Sequence, residues 1–503
     1  MDLIFNFPAF TILLSLLCSG IGYAVKKKTA ARTLFLCLDA VCLIMNICTL
    51  FYCIKNGSFT YKMGHFPAPW GNEIRAGVME AIMASAFNIV LMLSITGGYH
   101  EIDRDIDDSK MNLYFVMMSL INASLSALVY TNDIFTGYVF IEICTIASTG
   151  ILMIREIGRT TLAAVRYMIF SLLGSGLFLI GVILLYDITG HLLMVNIGEA
   201  VAKLWANGGY HTPLLVVIAL ICAGLAIKSG LYPFHFWMPD TYGCATPASA
   251  GVLSGIISKG YIFLLIKIIC RCFGTDVFYS CGVNNVLFIF GICGMVLGSV
   301  AAIKQNDINR MTAFSSSAQI GYIYMGIGLS PVLGLTAALF HMLTHAFTKP
   351  LLFLSNSRLI EVSGGSQHFA DLYGSAHRNK MAGFAFTIGA LSMVGIPGFM
   401  GFVSKLLFAQ AAVQGRLKMI LTLAALAVST ILNTMYFLRT VITIYSSSRN
   451  AQADSPALPV SKICIKQQIG FAVAAICFIA INIIIGMHSE PIVSAIELGL
   501  KAL

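Results

Sequence analysis

Apolar runs of about 18 or more residues recur from one end of the chain to the other, separated by short polar stretches. Each is long enough to cross about 30 Å of hydrocarbon as a helix. The pattern predicts an all-α polytopic membrane protein with about fourteen transmembrane helices. Their expected boundaries, each to within several residues, are 4–24, 33–54, 76–96, 112–131, 133–154, 163–187, 213–233, 246–270, 283–303, 310–329, 332–355, 381–411, 417–445 and 466–487. The first run lacks a basic segment before it and has Lys26, Lys27 and Lys28 after it, so it is expected to be a retained span and not a signal peptide. The longest polar stretches, 56–75 and 355–380, are expected to be loops. "HEIDRDIDDSK" (100–110) reads as an acidic loop, solvated or serving as a docking surface.

Proline and glycine interrupt two spans in comparable ways. The seventh contains "LAIKSGLYPFHFWMPD", with Pro233 behind Lys228, and the twelfth contains "LSMVGIPGFMGFVSKLLF", with Pro397 ahead of Lys405. A proline at membrane depth frees a backbone carbonyl, which is tolerated only where protein or water satisfies it. Interrupted helices in matching places of two halves point to an inverted repeat with its ion site at the break. The expected organisation is therefore helices 1–3 in 1–111, a first five-helix repeat (helices 4–8) in 112–272, a second (helices 9–13) in 282–445, and helix 14 in 446–503, with helices 7 and 12 interrupted.

Composition strengthens the membrane reading. Of 503 residues, 58% are hydrophobic and 11% charged, and the mean hydropathy is +0.86. The net charge of +9 reads as topology: placing Lys26, Lys27, Lys28 and Arg32 in the cytoplasm puts roughly sixteen basic residues in cytoplasmic loops against about eight outside. Both termini then face outward. No basic patch interleaved with aromatics suggests nucleic acid. The 14 cysteines are scattered without a C-x-x-C pair, so no iron–sulfur cluster or other cofactor is expected in this chain.

The charges inside the spans carry the chemistry. Glu142 lies in the fifth span, Lys228 in the seventh, Lys259 in the eighth and Lys405 in the twelfth. Left isolated in hydrocarbon they would forfeit on the order of 10 kcal/mol together, so they must be paired, hydrated or at times neutral. Lysine suits a proton relay, because desolvation favours its neutral form and an approaching carboxylate its charged form. Lys267, near the end of the eighth span, is expected to snorkel. In "LFHMLTHAFTKPLLFL" of the eleventh span, His341, His345 and Lys349 are spaced by four and form a slanted stripe on one helix face. Imidazole takes a proton on one nitrogen and releases it from the other, so the stripe could conduct protons. The same spacing could bind zinc, yet no H-E-x-x-H carboxylate and no third ligand accompany it, and no metal is expected. Interhelical hydrogen bonding without transport is the blander alternative. Asp307 and Arg310 sit where they would cap the tenth span, and His235, Trp237 and Asp240 close the seventh.

These blocks resemble the antiporter-like proton-translocating subunits shared by respiratory complex I, Mrp-type sodium/proton antiporters and membrane-bound energy-converting hydrogenases. The likeness rests on "GYVFIEI", "KSGLYPFHFWMPDTYGCATPASAGVLSGIISKGY", "QNDINRMTAFSSSAQIGY", "HMLTHAFTKPLLFL", "GIPGFMGFVSK" and "LNTMYFLR", in that order. It implies that Glu142 and Lys228 gate proton uptake, that Lys259, His341 and His345 form a central relay, and that Lys405 is the exit-side group. His235, Asp240, Asp307 and Lys349 are possible further members of the pathway. Departures are Ala245 and Ala248 in the turn before the eighth span, and Pro350, which is expected to disturb the eleventh helix beside Lys349. The resemblance also implies partners: other membrane subunits, peripheral redox subunits and lipid, in a bacterial or archaeal cell membrane. Ending near residue 503 with lysine at position 405, the chain reads as a D-like Mrp subunit or its counterpart in a hydrogenase-type complex. The rivals are a self-sufficient cation/proton antiporter and a membrane anchor for redox subunits.

Overall fold

The computed structural model describes residues 2–66, 71–447 and 465–503. Its long helices are α1 (Phe7–Ala24), α2 (Lys28–Asn56), α3 (Val78–Gly97), α4 (Met111–Tyr130), α5 (Ile134–Met153), α6 (Gly158–Thr189) and α7 (His211–Ser229). After a short α8 (Met238–Cys244) come α9 (Pro247–Phe273), α10 (Val283–Ile303), α11 (Ile308–Leu329), α12 (Leu333–Glu361), α13 (Lys380–Val394), α14 (Met400–Gln414), α15 (Met419–Tyr445) and α16 (Ile465–Met487). Local signals start and stop them. Asp133, Thr246, Asp307 and Asn379 accept backbone N–H bonds at the starts of α5, α9, α11 and α13. Left-handed glycines at 190, 230 and 395 end α6, α7 and α13.

Among the described residues, eleven helices are long and apolar enough to cross a membrane. α11 and α12 are long but too polar to count among them. The reason is their position: nearly every residue of both is buried, so they face other helices and need no lipid-compatible surface. α9 lies in the same core, its apolar window wholly buried. α6, by contrast, turns Leu162, Ile169, Leu173 and Ile183 outward.

The chain alternates between two faces. At one, Lys28 pairs with Asp108 (2.9 Å), Arg155 with Asp105 (3.2 Å) and Arg310 with Asp240 (2.8 Å). At the other, strands β1 (Phe59–Lys62) and β2 (Glu73–Ala76) form an antiparallel hairpin. The start and end of the chain meet this hairpin, Phe5 through the Phe59 ring (4.9 Å) and Ala502 through Arg75.

Several expectations are corrected. The hairpin occupies much of the expected 56–75 loop, of which 67–70 lie outside the described residues. The expected boundary at 446 is followed by 448–464, also outside them. The first half of the acidic stretch is not a solvated loop: it forms a helix (Tyr99–Asp105) in which Glu101 is 1% exposed and pairs with Arg358 of α12 at 3.1 Å, whereas Asp107, Asp108 and Ser109 beyond it are exposed as expected. Lys267 does not snorkel; it is buried and donates to the Val129 and Thr131 carbonyls at the end of α4, 2.6 Å each. Two amphipathic helices, Met194–Ala206 and Glu490–Ala502, were not foreseen. Pro350 does not disturb α12, which is unbroken through it. Gly251 and Gly255 of α9 face Pro350, and a Cβ at Gly255 would stand 3.0 Å from the proline ring and 3.3 Å from the Ala346 carbonyl. That clearance lets the ring and the carbonyl it would crowd fit side by side.

Both interrupted helices are present, with the breaks set by glycine and not by proline. α7 stops at Gly230 (φ 80°), three residues before Pro233, and α13 stops at Gly395 (φ 90°), two before Pro397. Each break stands beside a lysine.

Candidate functional site

The fifth span supplies a carboxylate and the seventh an amine. Glu142 lies on α5 and Lys228 two residues before the α7 break at Gly230; their charged groups are 3.6 Å apart, with the lysine side chain fully buried and the glutamate 22% exposed. Lys228 Nζ donates to Thr145 Oγ1 at 2.7 Å, on the face that Glu142 shares at a spacing of three. It also stands 5.4 Å from the Tyr261 ring. A buried ammonium with one partly exposed carboxylate and one hydroxyl is thinly compensated, which makes its proton movable.

Tyr261 lies on α9, two residues past Lys259. The backbone of α9 widens into a π-turn over Leu253–Ile257, and Lys259 Nζ reaches back to the Ser254 carbonyl. Ser254 in turn bonds Ser316 of α11 (2.9 Å). Lys349 donates to the Thr312 carbonyl (2.9 Å) and to Ser315 of α11. Among the described residues, neither Lys259 nor Lys349 has a carboxylate partner.

The two histidines differ. His341 Nδ1 bonds Ser404 Oγ (2.9 Å), and its ring sits 5.2 Å from that of Tyr322 and 5.6 Å from that of Phe408. His345 is fully buried, and neither of its ring nitrogens has a protein partner. The charges of Lys259, Lys349 and His341 all act on it. At the second break, Lys405 Nζ donates to the Val394 carbonyl (2.5 Å), one of those freed where α13 ends, and to Thr430 Oγ1 (3.0 Å). It lies 5.8 Å from the Tyr322 ring, so Tyr322 stands between His341 and Lys405.

The structure thus brings Glu142 together with Lys228, sets His341 and Lys405 on either side of Tyr322, and places Lys259 and Lys349 near His345. His235, Asp240 and Asp307 lie apart from this row, toward the ion-paired face. Asp240 is clamped by Arg166 and Arg310 on the wall of a cavity of about 840 Å³ that Asp307 also lines. Asp307 Oδ1 accepts the Asn309 and Arg310 amides (2.8 and 3.0 Å), capping α11 as expected. Burial pushes the Asp307 carboxyl above its ordinary range, against the pull of those two bonds. His235 is buried among Tyr232, Phe236 and Phe314, with Nδ1 unpartnered.

Thr145, Ser404, Tyr322 and Thr430 were not anticipated. Hydroxyls are common in membrane helices, and only their spacing from Glu142 and Lys405 on one helix could have marked Thr145 and Ser404. One further cluster has metal-ligand chemistry, His100, Glu101 and Glu361. Its carboxylates are taken by Arg358, at 3.1 and 2.9 Å, which leaves the cluster an ion-pair network.

The family described as NADH:quinone oxidoreductase/Mrp antiporter, transmembrane, matches residues 131–432. The NADH-quinone oxidoreductase subunit N of Desulforudis audaxviator is 28% identical over 451 residues, covering 88% of this chain and 87% of its own length. A Na(+)/H(+) antiporter subunit of Alkalihalophilus pseudofirmus is 24% identical over 439 residues, covering 87% and 85%. In fold, the chain is similar to one in the Mrp complex from Dietzia sp. (TM-score 0.86, 22% identity, 99% and 97% covered). It is equally similar to one in the membrane-bound sulfane sulfur reductase, an archaeal respiratory membrane complex (TM-score 0.86, 23% identity, 98% and 97% covered). With the match spanning more than half its length and holding every member of the row from Glu142 to Lys405, the chain belongs to the NADH:quinone oxidoreductase/Mrp antiporter transmembrane family.

Proposed function

We propose that this chain is a proton-translocating subunit of a multi-subunit membrane complex, and that Glu142, Lys228, Lys259, His341, His345 and Lys405 carry the proton. The observation behind the reading is the Glu142–Lys228 pair at 3.6 Å, heading a buried row in which the later amines have no carboxylate. While Glu142 is close, Lys228 holds its proton; when Glu142 is drawn away, desolvation favours release. Lys259, lacking a counter-charge, passes a proton on readily, and His345 receives it on one nitrogen and delivers from the other toward His341. Bound water would serve the unpartnered His345 nitrogens, as buried polar groups require. Lys405, held by Val394 and Thr430, takes the proton at the second break. Asp240 and Asp307 collect protons at the cavity they line, His235 is a buried step behind them, and Lys349 tunes His345 by its charge.

Helices α4–α9 and α10–α15 form the two inverted repeats in this reading, supported by a left-handed glycine break and a threonine-bound lysine in each. Moving one charge against about 150 mV costs roughly 3.5 kcal/mol. No redox centre is expected in this chain to supply this, so the reading includes membrane and peripheral redox partners, with lipid on outward faces such as that of α6. A sodium-coupled antiport reading draws on the name of the Na(+)/H(+) antiporter relative, and omission of Na⁺ separates the two. The test is Lys228→Ala in the assembled complex, measured by vesicle acidification. Loss of coupled pumping with assembly intact is expected; full pumping contradicts the relay.

A further inference from the structure

One carboxyl deep in the membrane region takes no part in this row. Asp39 lies about 16 Å along α2 from its start, and its side chain is 0% exposed. Asn88 Nδ2 of α3 donates to Asp39 Oδ1 at 2.6 Å, and Asn122 Nδ2 of α4 approaches the same oxygen at 3.5 Å while donating to Ser15 Oγ of α1 at 3.2 Å. Around them, Asn88 donates to Asn122 Oδ1 (2.9 Å), Asn46 to Asn88 Oδ1 (2.7 Å) and the Tyr130 hydroxyl to Asn46 Oδ1 (2.8 Å). Asp39 Oδ2 is buried with no hydrogen-bond partner.

The titratable groups nearest this cage are Cys42 on α2 itself, Cys18 on α1, Glu80 on α3 and Tyr130 on α4; none is a cation. Among the described residues, no Lys, Arg or His forms an ion pair with Asp39. An ionised carboxylate at this depth, with one oxygen bare, is strongly disfavoured against its neutral form. Three things can neutralise it: a basic side chain, a metal cation or a proton. The geometry supplies no basic side chain. A sodium ion needs converging oxygens, yet the three amide oxygens are already occupied by Tyr130, Asn46 and Asn88, and the amide groups that face Asp39 do so through N–H, which repels a cation.

We propose that Asp39 is a second proton-binding site of this chain, separate from the Glu142–Lys405 row, with its carboxyl held as the neutral acid in the amide cage of Asn46, Asn88 and Asn122. Binding is simple protonation: the carboxylate takes up one proton on Oδ2 and no other group changes charge. The site does not depend on the relay, so each can fail alone.

Infrared difference spectroscopy on the intact complex in lipid, near neutral pH, tests it. The expected result is a protonated-carboxyl C=O band that shifts in ²H₂O, disappears in Asp39→Asn, and is the same in sodium and potassium buffers. Asp39→Asn is isosteric with the neutral acid and is expected to keep the thermal midpoint of the parent. Should that variant fail to assemble, Asp39→Glu is expected to move the band instead of removing it. A spectrum with no band sensitive to these variants, or a band that sodium abolishes, overturns the proposal; the latter makes Asp39 a sodium-binding carboxylate.

Discussion

His341 and His345 sit one helical turn apart, and their different surroundings separate stability from transport. His341 is tied to Ser404 and packed against Tyr322 and Phe408, so His341→Ala is expected to cost about 2–4 kcal/mol through the lost bond and the cavity left behind. His345 has no protein partner to lose. His345→Gln is therefore expected to leave the thermal midpoint of the complex nearly unchanged while cutting proton flux tenfold or more; unchanged flux would remove His345 from the relay. Arg358 is the opposite case, buried between Glu101 and Glu361. Arg358→Leu strands both carboxylates and is expected to cost about 3–5 kcal/mol, with Glu101→Leu added to it restoring part of the loss in a denaturation assay. The buried charges were legible in the sequence because a charge in an apolar run is costly wherever it points. Their neutral partners were not, since a hydroxyl such as Thr145 or Ser404 costs little and marks nothing until a neighbour is placed. Asp39 was overlooked even though "LFLCLDAVCLIM" carries the same signal that identified Glu142.

Two helix breaks each stand beside a lysine of the proposed relay. At the second, Gly395 has φ 90°, and a Cβ there would meet Lys405 Cδ at 2.8 Å. Gly395→Ala is thus expected to combine backbone strain of about 1–3 kcal/mol with displacement of Lys405 from the Val394 carbonyl, lowering both stability and flux. Gly190→Ala is the control: it carries similar strain at φ 72° with nothing within 4 Å, and its flux per assembled complex is expected to match the parent. Retained flux in Gly395→Ala would mean that the Lys405 cap is dispensable. The prolines announced these breaks from sequence, whereas the glycines place them, because only a residue free to turn left-handed can end the first half-helix at that point. Pro350 shows the converse: it gives up one backbone hydrogen bond and crowds the Ala346 carbonyl of its own helix, and Gly251 and Gly255 leave room beside them, so α12 continues. The hairpin and the amphipathic helix Met194–Ala206 were missed since their apolar runs are too short to register against those of the spans.

Across the whole molecule, the ion-paired loops gather on one face and both ends of the chain on the other. The basic loop after α1 lies on the ion-paired face, so charge bias predicts that face to be cytoplasmic and the termini external. Single-cysteine tags at residues 2 and 503 are expected to react with an impermeant maleimide in intact cells, and protection of either tag contradicts this orientation. That both ends share one face agrees with the span count and loop charges, but the burial of α9, α11 and α12 at the centre was not legible, because periodicity does not tell a lipid-facing helix from a protein-facing one. The proposed transport through that centre has Glu142 and Lys228 acting as one unit. The most direct test is a double-mutant cycle of Glu142→Gln and Lys228→Ala, reading proton flux in vesicles carrying the complete complex. The predicted result is that each single variant loses nearly as much flux as the double, whereas losses that multiply independently would show that the two residues do not work as a pair.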